Sequence, residues 1–341
     1  MKAVRFHEHG AVDVLRYEDA PDPEPAPGEA LVRVRACALN HLDLWQRRGM
    51  ERVRIPFPHI SGADVAGDVV EPGASGLAPG ARVMLQPGVS CGHCAQCLAG
   101  RDNECNFYRV LGNQNEGGYA QLVKVPSVNL IPLPDHVDFV EAAAFPLTFV
   151  TAWHMLITRA SLEAGEDVLV LAAGSSVGQA AIQIAKLHGA RVFATAGTDE
   201  KLERARALGA DATINHHTED VPKRVRDLTA GRGVPIVFEH VGQATWDRSV
   251  KCLARGGRLV TCGATTGPEA GIDLRFLFGR QLSLLGSYMG TKSELLRAVP
   301  FFFDGRLRPV VDNVFPLQEA AAAQQRLETA AQFGKIVLKV E

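Results

Sequence analysis

Residues 167–201, DVLVLAAGSSVGQAAIQIAKLHGARVFATAGTDEK, constrain the fold more than any other part of the chain. An unbroken apolar run at 168–171 gives way to five small residues, Ala172, Ala173, Gly174, Ser175 and Ser176. Val177, Ala180, Ala181, Ile184 and Leu187 then recur at helical spacing. That order reads as strand, tight turn and helix, with one apolar stripe able to pack back on a sheet. Gly189 stops the helix and the apolar run 191–195 supplies a second strand, as a right-handed β-α-β unit needs.

The small residues matter because a pyrophosphate sits on N–H groups at a helix N-terminus, where a bulky side chain would block it. Ala173-Gly174-Ser175-Ser176-Val177-Gly178 stands where G-x-G-x-x-G is usual, with Ala and Ser at the first two glycine places. A parallel-sheet turn without a nucleotide would read the same. Further on, Thr195-Ala196-Gly197-Thr198 closes the second strand with no carboxylate at its tip. NAD binding normally places Asp or Glu there for the ribose hydroxyls. Thr198 and Lys201 offer a hydroxyl and a cation suited to a 2′-phosphate. NADP(H) is therefore expected over NAD(H), although Asp199 keeps NAD(H) open and Lys201 beside Glu200 and Glu203 also reads as a solvated lysine.

Four of the seven cysteines cluster as Cys91-x2-Cys94-x2-Cys97-x7-Cys105. Thiolates at such spacing can close a tetrahedron on one zinc ion. Disulfides are the alternative, disfavoured by the short spacings. With sulfur at all four corners the ion would fold its loop and have no open position for chemistry. Cys37, Cys252 and Cys262 stand alone and read as small buried residues.

A chain of 341 residues is long for one core and suggests more than one domain. A formal charge of −2 gives no basic excess for nucleic acid. No apolar run approaches the length of a membrane span and no charged-then-apolar leader opens the chain, so a cytoplasmic protein with no membrane partner is expected. Residues 1–125 hold short β-type runs at 31–36, 65–70, 82–85 and 121–125, parted by Pro- and Gly-dense breaks at 21–30 and 71–80. Residues 138–158 turn helical. A helix over 201–208 and short strands at 212–214, 236–238, 258–261 and 282–285 follow, which with the first two make a six-stranded doubly wound parallel sheet. The tail reads as a helix near 293–303, a strand about 310–315, a helix through 317–328 and a last strand 335–340.

The order of parts, a β-rich first half with a four-cysteine lobe, then AAGSSVG, GGRLVTCG and a terminal GKIVLKV, resembles the medium-chain dehydrogenase/reductase superfamily nearly end to end. The resemblance implies a GroES-like catalytic domain with a Rossmann domain inserted before its C-terminal part. The expected boundaries are 1–125, with a structural zinc lobe about 88–108, then 126–290 for the nucleotide domain and 291–341 for the closing segment. It further implies a homodimer or homotetramer, with the strand at 282–285 near the shared edge.

Two branches are similar, the zinc-type alcohol dehydrogenases and the quinone oxidoreductases that include zeta-crystallin. Members of the first hold a catalytic zinc through a cysteine in C-x-x-D, a histidine in G-H-E and a later cysteine. The matching stretches here read Asn40-His41-Leu42-Asp43, Gly62-Ala63-Asp64 and Pro146-Leu147-Thr148, so all three ligands are replaced. His41, His59 and Asp64 follow no metal spacing. Asn40 with Asp43 and the run PLTFVTAWH resemble the quinone-reductase branch, which implies Asn40 near the nicotinamide and Thr151 helping to hold it. The Asn40 and Asp43 pair also reads as a turn-stabilising pair.

By the same resemblance Gly174, Ser175, Ser176, Val177 and Gly178 form the phosphate cradle and Thr198 and Lys201 meet the 2′-phosphate. His216 stands over the adenosine, and Cys262, Gly263 and Ala264 border the nicotinamide. The expected reaction is hydride transfer from NADPH to a small-molecule acceptor, a quinone or an α,β-unsaturated carbonyl. An alcohol dehydrogenase with an atypical site, and a nucleotide-binding protein without catalysis, are the alternatives.

Overall fold

The computed structural model describes residues 1–50 and 53–341. Two compact units divide the chain: Met1–Leu147 with Thr291–Glu341, and Thr148–Gly290. Residues 126–147, grouped from the sequence with the nucleotide domain, therefore pack with the first unit.

The first unit is built on a seven-stranded sheet, counted among the described residues. Its path runs Val311–Pro316, Lys335–Lys339, Glu29–Ala38, Asp64–Glu71, Arg82–Leu85 and Leu130–Pro132, with Leu122–Pro126 also paired to Glu29–Ala38. Alternation along Glu29–Ala38 sends Val32 and Val34 into a core with Val65, Val83, Val123 and Leu338. The last strand runs antiparallel to it, pairing Val337 with Ala38 and Leu338 with Cys37. On the other side Ala38 pairs with Asp64. This register brings the end of one strand, the start of another and the start of the last, Lys335, to one end of the sheet.

The helical stretch read over 138–158 is broken. Asp138 accepts from the N–H of Val140 to start Phe139–Ala144, and a second helix, Pro146–Trp153, begins at a residue that suits a first helical position because it has no N–H to pair. A π-helical turn, His154–Arg159, completes it.

The second unit is a six-stranded parallel sheet in the order Ala212–Asn215, Arg191–Ala196, Asp167–Val170, Val234–Glu239, Leu253–Thr261 and Ser283–Gly286. The order reverses beside Asp167–Val170, the arrangement of a Rossmann sheet. Ser176–Leu187 follows the first of these strands, and Ala180, Ala181 and Ile184 on it are completely buried. Gly189 and Gly209, at φ 77° and 106°, end this helix and the next, Asp199–Ala207, in a conformation that favours glycine. No helix among the described residues is long and apolar enough to cross a membrane.

Candidate active site and metal centre

In the second unit the turn predicted to cradle phosphate lies where the Rossmann sheet puts it. Ser175 caps the helix Ser176–Leu187, its hydroxyl accepting from the N–H of Gly178 at 2.8 Å. The N–H groups of Ser176 and Val177 remain in the first turn, where the helix itself offers them no acceptor. A Cβ on Gly178 would lie 2.6 Å from the Ala172 carbonyl oxygen and 3.1 Å from the Ala173 Cα. Glycine is needed there for close packing of helix on strand, the part played by the third glycine of a dinucleotide fingerprint. His240, which the sequence reading did not single out, joins this turn. Its Nε2 lies 3.0 Å from the Leu171 carbonyl and 3.3 Å from Ser175 Oγ. Burial lowers its pKa, so the ring is neutral at pH 7.

The next strand, Arg191–Ala196, ends without a carboxylate, and Thr198 is the N-cap of Asp199–Ala207. Its hydroxyl accepts from the Lys201 N–H at 3.3 Å. Asp199 Oδ1 accepts from Asn215 Nδ2 at 3.2 Å. His216 is half-buried, and burial and then His217 and Arg248 lower its pKa. It is thus an uncharged ring, of the kind that can lie on an adenine. The imidazoles of His216 and His217 crowd the strand tip, where a Cβ on Gly197 would stand 2.7 Å from His217 Nε2. His217 was not foreseen.

Cys262, Gly263 and Ala264 follow the carboxyl end of Leu253–Thr261. A Cβ on Gly263 would meet the His240 carbonyl oxygen at 2.7 Å, so glycine lets the ends of neighbouring strands close up. Burial pushes the Cys262 thiol up to about 12, which removes it as a nucleophile at neutral pH. Beneath them the buried Glu239 carboxylate ties the rim together, accepting from Thr245 Oγ1 at 2.6 Å and from the Gly242 N–H at 3.1 Å. Thr151 is buried in the helix Pro146–Trp153.

The first unit holds two polar centres. In one, Cys91, Cys94, Cys97 and Cys105 bring their sulfurs within 4.8 Å of one another. Individual separations are 3.9 Å (Cys91 to Cys97), 3.5 Å (Cys94 to Cys97) and 3.6 Å (Cys105 to Cys91). They are far beyond a disulfide bond. A zinc ion at ~2.3 Å from each of four sulfurs sets edges of about 3.8 Å. The cysteines therefore fit a tetrahedral ion.

In the other, Asn40 and Asp43 take different parts. Asp43 accepts from the Asn40 backbone N–H at 2.8 Å and from Tyr119 Oη at 3.0 Å, so it stabilises the turn into the helix His41–Arg48. The Asn40 side chain goes elsewhere. Its Nδ2 donates to Asp64 Oδ2 at 3.0 Å, and its Oδ1 accepts from Lys335 Nζ at 2.8 Å. Lys335 Nζ donates also to Asp64 Oδ2 at 2.7 Å and to the Leu39 carbonyl at 3.0 Å. Asp64 Oδ1 accepts from the Leu147 N–H at 2.8 Å. His59, buried, sits with its Nε2 3.0 Å from the Gly112 carbonyl. Among the described residues the four cysteines form the sole group of His, Cys, Asp and Glu side chains gathered closely enough for a metal ion.

Two family models match the sequence, alcohol dehydrogenase GroES-like domain over residues 26–135 and zinc-binding dehydrogenase over 176–304. A quinone oxidoreductase of Pseudomonas aeruginosa is 32% identical, over 99% of this chain and 99% of its own. Among solved structures, an NAD-dependent alcohol dehydrogenase superposes with a TM-score of 0.97 at 49% identity, covering 100% of both chains. A crotonyl-CoA carboxylase/reductase in complex with NADP gives 0.93 at 25% identity, covering 100% of this chain and 95% of that one. A Rossmann sheet set between two parts of a GroES-like unit, with relatives that match from end to end, identifies the chain as an NAD(P)-dependent oxidoreductase of the medium-chain dehydrogenase/reductase superfamily.

Proposed function

We propose that the protein transfers hydride from NADPH to a conjugated acceptor, a quinone or an α,β-unsaturated carbonyl, without a catalytic metal, and keeps one structural zinc on Cys91, Cys94, Cys97 and Cys105. The observation that carries this reading is the content of the Asn40 pocket. The places that zinc-type relatives give to metal ligands hold Asn40, Ala63 and Leu147, an amide bonded to Lys335 and Asp64 and two aliphatic side chains. That set offers neither thiolate nor imidazole.

NADP(H), when bound, supplies the hydride and the protein supplies orientation. Ser176, Val177 and Gly178 take the pyrophosphate, Thr198 and Lys201 the 2′-phosphate, and His216 the adenine face. Thr151, Cys262, Gly263 and Ala264 border the nicotinamide, and Asn40 acts at the acceptor. A conjugated acceptor spreads the charge that develops on it, so it reacts without the Lewis acid that an isolated ketone requires. Asp43 serves Asn40 by holding its backbone. As partner we place a second copy of the chain on the open edge of the Rossmann sheet, Ser283–Gly286, which light scattering of the purified protein tests.

The likeness to an NAD-dependent alcohol dehydrogenase, together with Asp199 beside the strand tip, favours a second reading in which NAD(H) and an alcohol are the substrates. One assay separates the two. NADPH and NADH are offered with a panel of quinones and enones, and NADP⁺ and NAD⁺ with simple alcohols, each with and without a chelator. NADPH consumption by quinones or enones that survives chelation is expected. Alcohol oxidation that a chelator abolishes would overturn the proposal, and cofactor binding with no turnover would favour a non-catalytic nucleotide-binding protein.

A further inference from the structure

One titratable side chain at the phosphate turn, His240, has no part in the proposed hydride transfer. It follows the strand Val234–Glu239 and reaches the neighbouring turn, with Nε2 3.0 Å from the Leu171 carbonyl and 3.3 Å from Ser175 Oγ. A carbonyl oxygen cannot donate, so Nε2 carries the proton and shares it between the two oxygens. In the neutral ring Nδ1 is then the bare nitrogen. Ser175 Oγ has two lone pairs, of which the Gly178 N–H at 2.8 Å fills one and His240 the other. The hydroxyl keeps its own proton, and no acceptor among the described residues takes it. That proton stands at the N-terminus of the helix Ser176–Leu187, where an anion is bound most readily.

We propose that His240 is a positioning residue of the dinucleotide site, turning the Ser175 hydroxyl to donate to the pyrophosphate and taking up a proton at Nδ1 when the pyrophosphate binds. The inference rests on the proposed seat of the cofactor and not on the identity of the acceptor.

The proton uptake follows from what surrounds the ring. Burial lowers its pKa, and the positive end of the helix opposes an imidazolium as well. Among the described residues the charged group that acts on it is Glu239, whose carboxylate is already held by the Gly242 N–H and Thr245 Oγ1. The turn 171–176 has no titratable side chain. Phe238 stands edge-on with ring centroids 5.9 Å apart, and the Cys262 thiol beyond the strand Leu253–Thr261 stays protonated at neutral pH. An arriving pyrophosphate brings negative charge to this place and reverses the balance. The ring is neutral in the free protein and favoured as a cation in the complex, so affinity rises as pH falls through the bound-state pKa and levels off below the free-state one.

The experiment titrates the full-length, zinc-loaded protein with ADP-ribose, which carries the pyrophosphate but neither a 2′-phosphate nor a nicotinamide. Calorimetry in buffers of differing ionisation enthalpy counts the protons exchanged. Wild type is expected to take up protons on binding and to bind several-fold more tightly at pH 6 than at pH 8. His240→Gln keeps an N–H near the place of Nε2 but cannot titrate, so it should match wild type at pH 8 and show neither uptake nor slope. His240→Leu frees the Ser175 hydroxyl to turn and should bind several-fold more weakly at pH 8, with little further loss when Ser175→Ala is added. No uptake in wild type, uptake that persists in His240→Gln, or a folded His240→Leu that binds like wild type at pH 8 would overturn the inference. Uptake in a protein that reduces neither quinones nor enones would leave it standing while the proposed reaction fell, and quinone reduction without uptake would do the reverse.

Discussion

The two polar centres of the first unit answer one problem, how to hold negative or electron-rich groups together, in opposite ways. The four-cysteine lobe is built of short pieces, the helix Ala95–Leu98, the turn Asp102–Glu104 and the two-residue strands Gly88–Val89 and Arg109–Val110. Leu98 and Phe107 on it are 77% and 68% exposed. With the zinc proposed for its cysteines, a segment with so little apolar burial would depend on the ion for its order. The Asn40 pocket lies in the end of a large sheet, and its cation is a side chain tethered to that sheet. On the proposed reading one centre would recruit its charge from solution, whereas the other carries it in the chain.

The contrast is broken most forcefully by removing a metal ligand. Structural zinc contributes on the order of 10 kcal/mol of apparent binding energy in small metal-dependent folds. Cys97→Ser is therefore expected to lower zinc content from one per chain to near zero. It should also abolish hydrogen-exchange protection over 88–110 while the strand Glu29–Ala38 stays protected. Metal analysis with peptide-resolved exchange checks both, and a protected, zinc-free lobe would show that the thiols are ornament.

The pocket responds to the opposite change, loss of an anion. Asp64→Ala leaves the Lys335 ammonium buried without its counter-ion, which costs about 3–5 kcal/mol. Urea unfolding should show that loss, and Lys335→Met added to Asp64→Ala should restore most of it, because the remaining orphan charge is gone. An Asp64→Ala protein as stable as wild type would mean that water reaches Lys335.

How much of this was legible in the sequence depends on distance along the chain. The thiols lie within a short loop and the Asp43 carboxylate meets the Asn40 N–H across three residues, so local spacing disclosed both. The strand, turn and helix at 167–187 were equally plain, since periodicity is a local property. Lys335 bonds partners 271, 295 and 296 residues away, and nothing near it distinguishes a lysine heading a buried strand from one at a surface edge. The break at Phe145 shows a different failure, in which a proline that starts a helix was read as lying inside one. The strand Leu253–Thr261 ran longer than 258–261 because it bulges at the glycines, with Leu253 paired to Val234 before the irregularity and Arg258 paired to Ile236 after it.

Acid offers a gentler probe of the pocket. Burial, then opposed by the Asn40 N–H, the Tyr119 hydroxyl and Lys335, raises the Asp43 pKa from 3.8 to about 6. The folded chain thus holds this proton more tightly than the unfolded one. The stabilisation is complete below the unfolded value and is lost as pH rises through the folded one, a span worth about 3 kcal/mol. Between pH 4 and 7 wild type should therefore lose about that much stability relative to Asp43→Asn. Denaturant curves of the two proteins at each pH measure the difference. A gap that stays constant over this range would place Asp43 in contact with water.

The smallest effect is expected where the nucleotide unit has neither an ion nor a buried pair, at Thr198. Its hydroxyl already works as an N-cap for Asp199–Ala207, and removing such a cap costs ~1 kcal/mol. If the same hydroxyl also donates to a 2′-phosphate, Thr198→Ala should weaken NADPH binding several-fold and leave NADH unaffected. Thr198→Ser, which keeps both functions, should change neither. Equal weakening of both cofactors would assign Thr198 to the cap alone. The phosphate would then rest on Lys201, so that Lys201→Ala becomes the variant that separates the two cofactors.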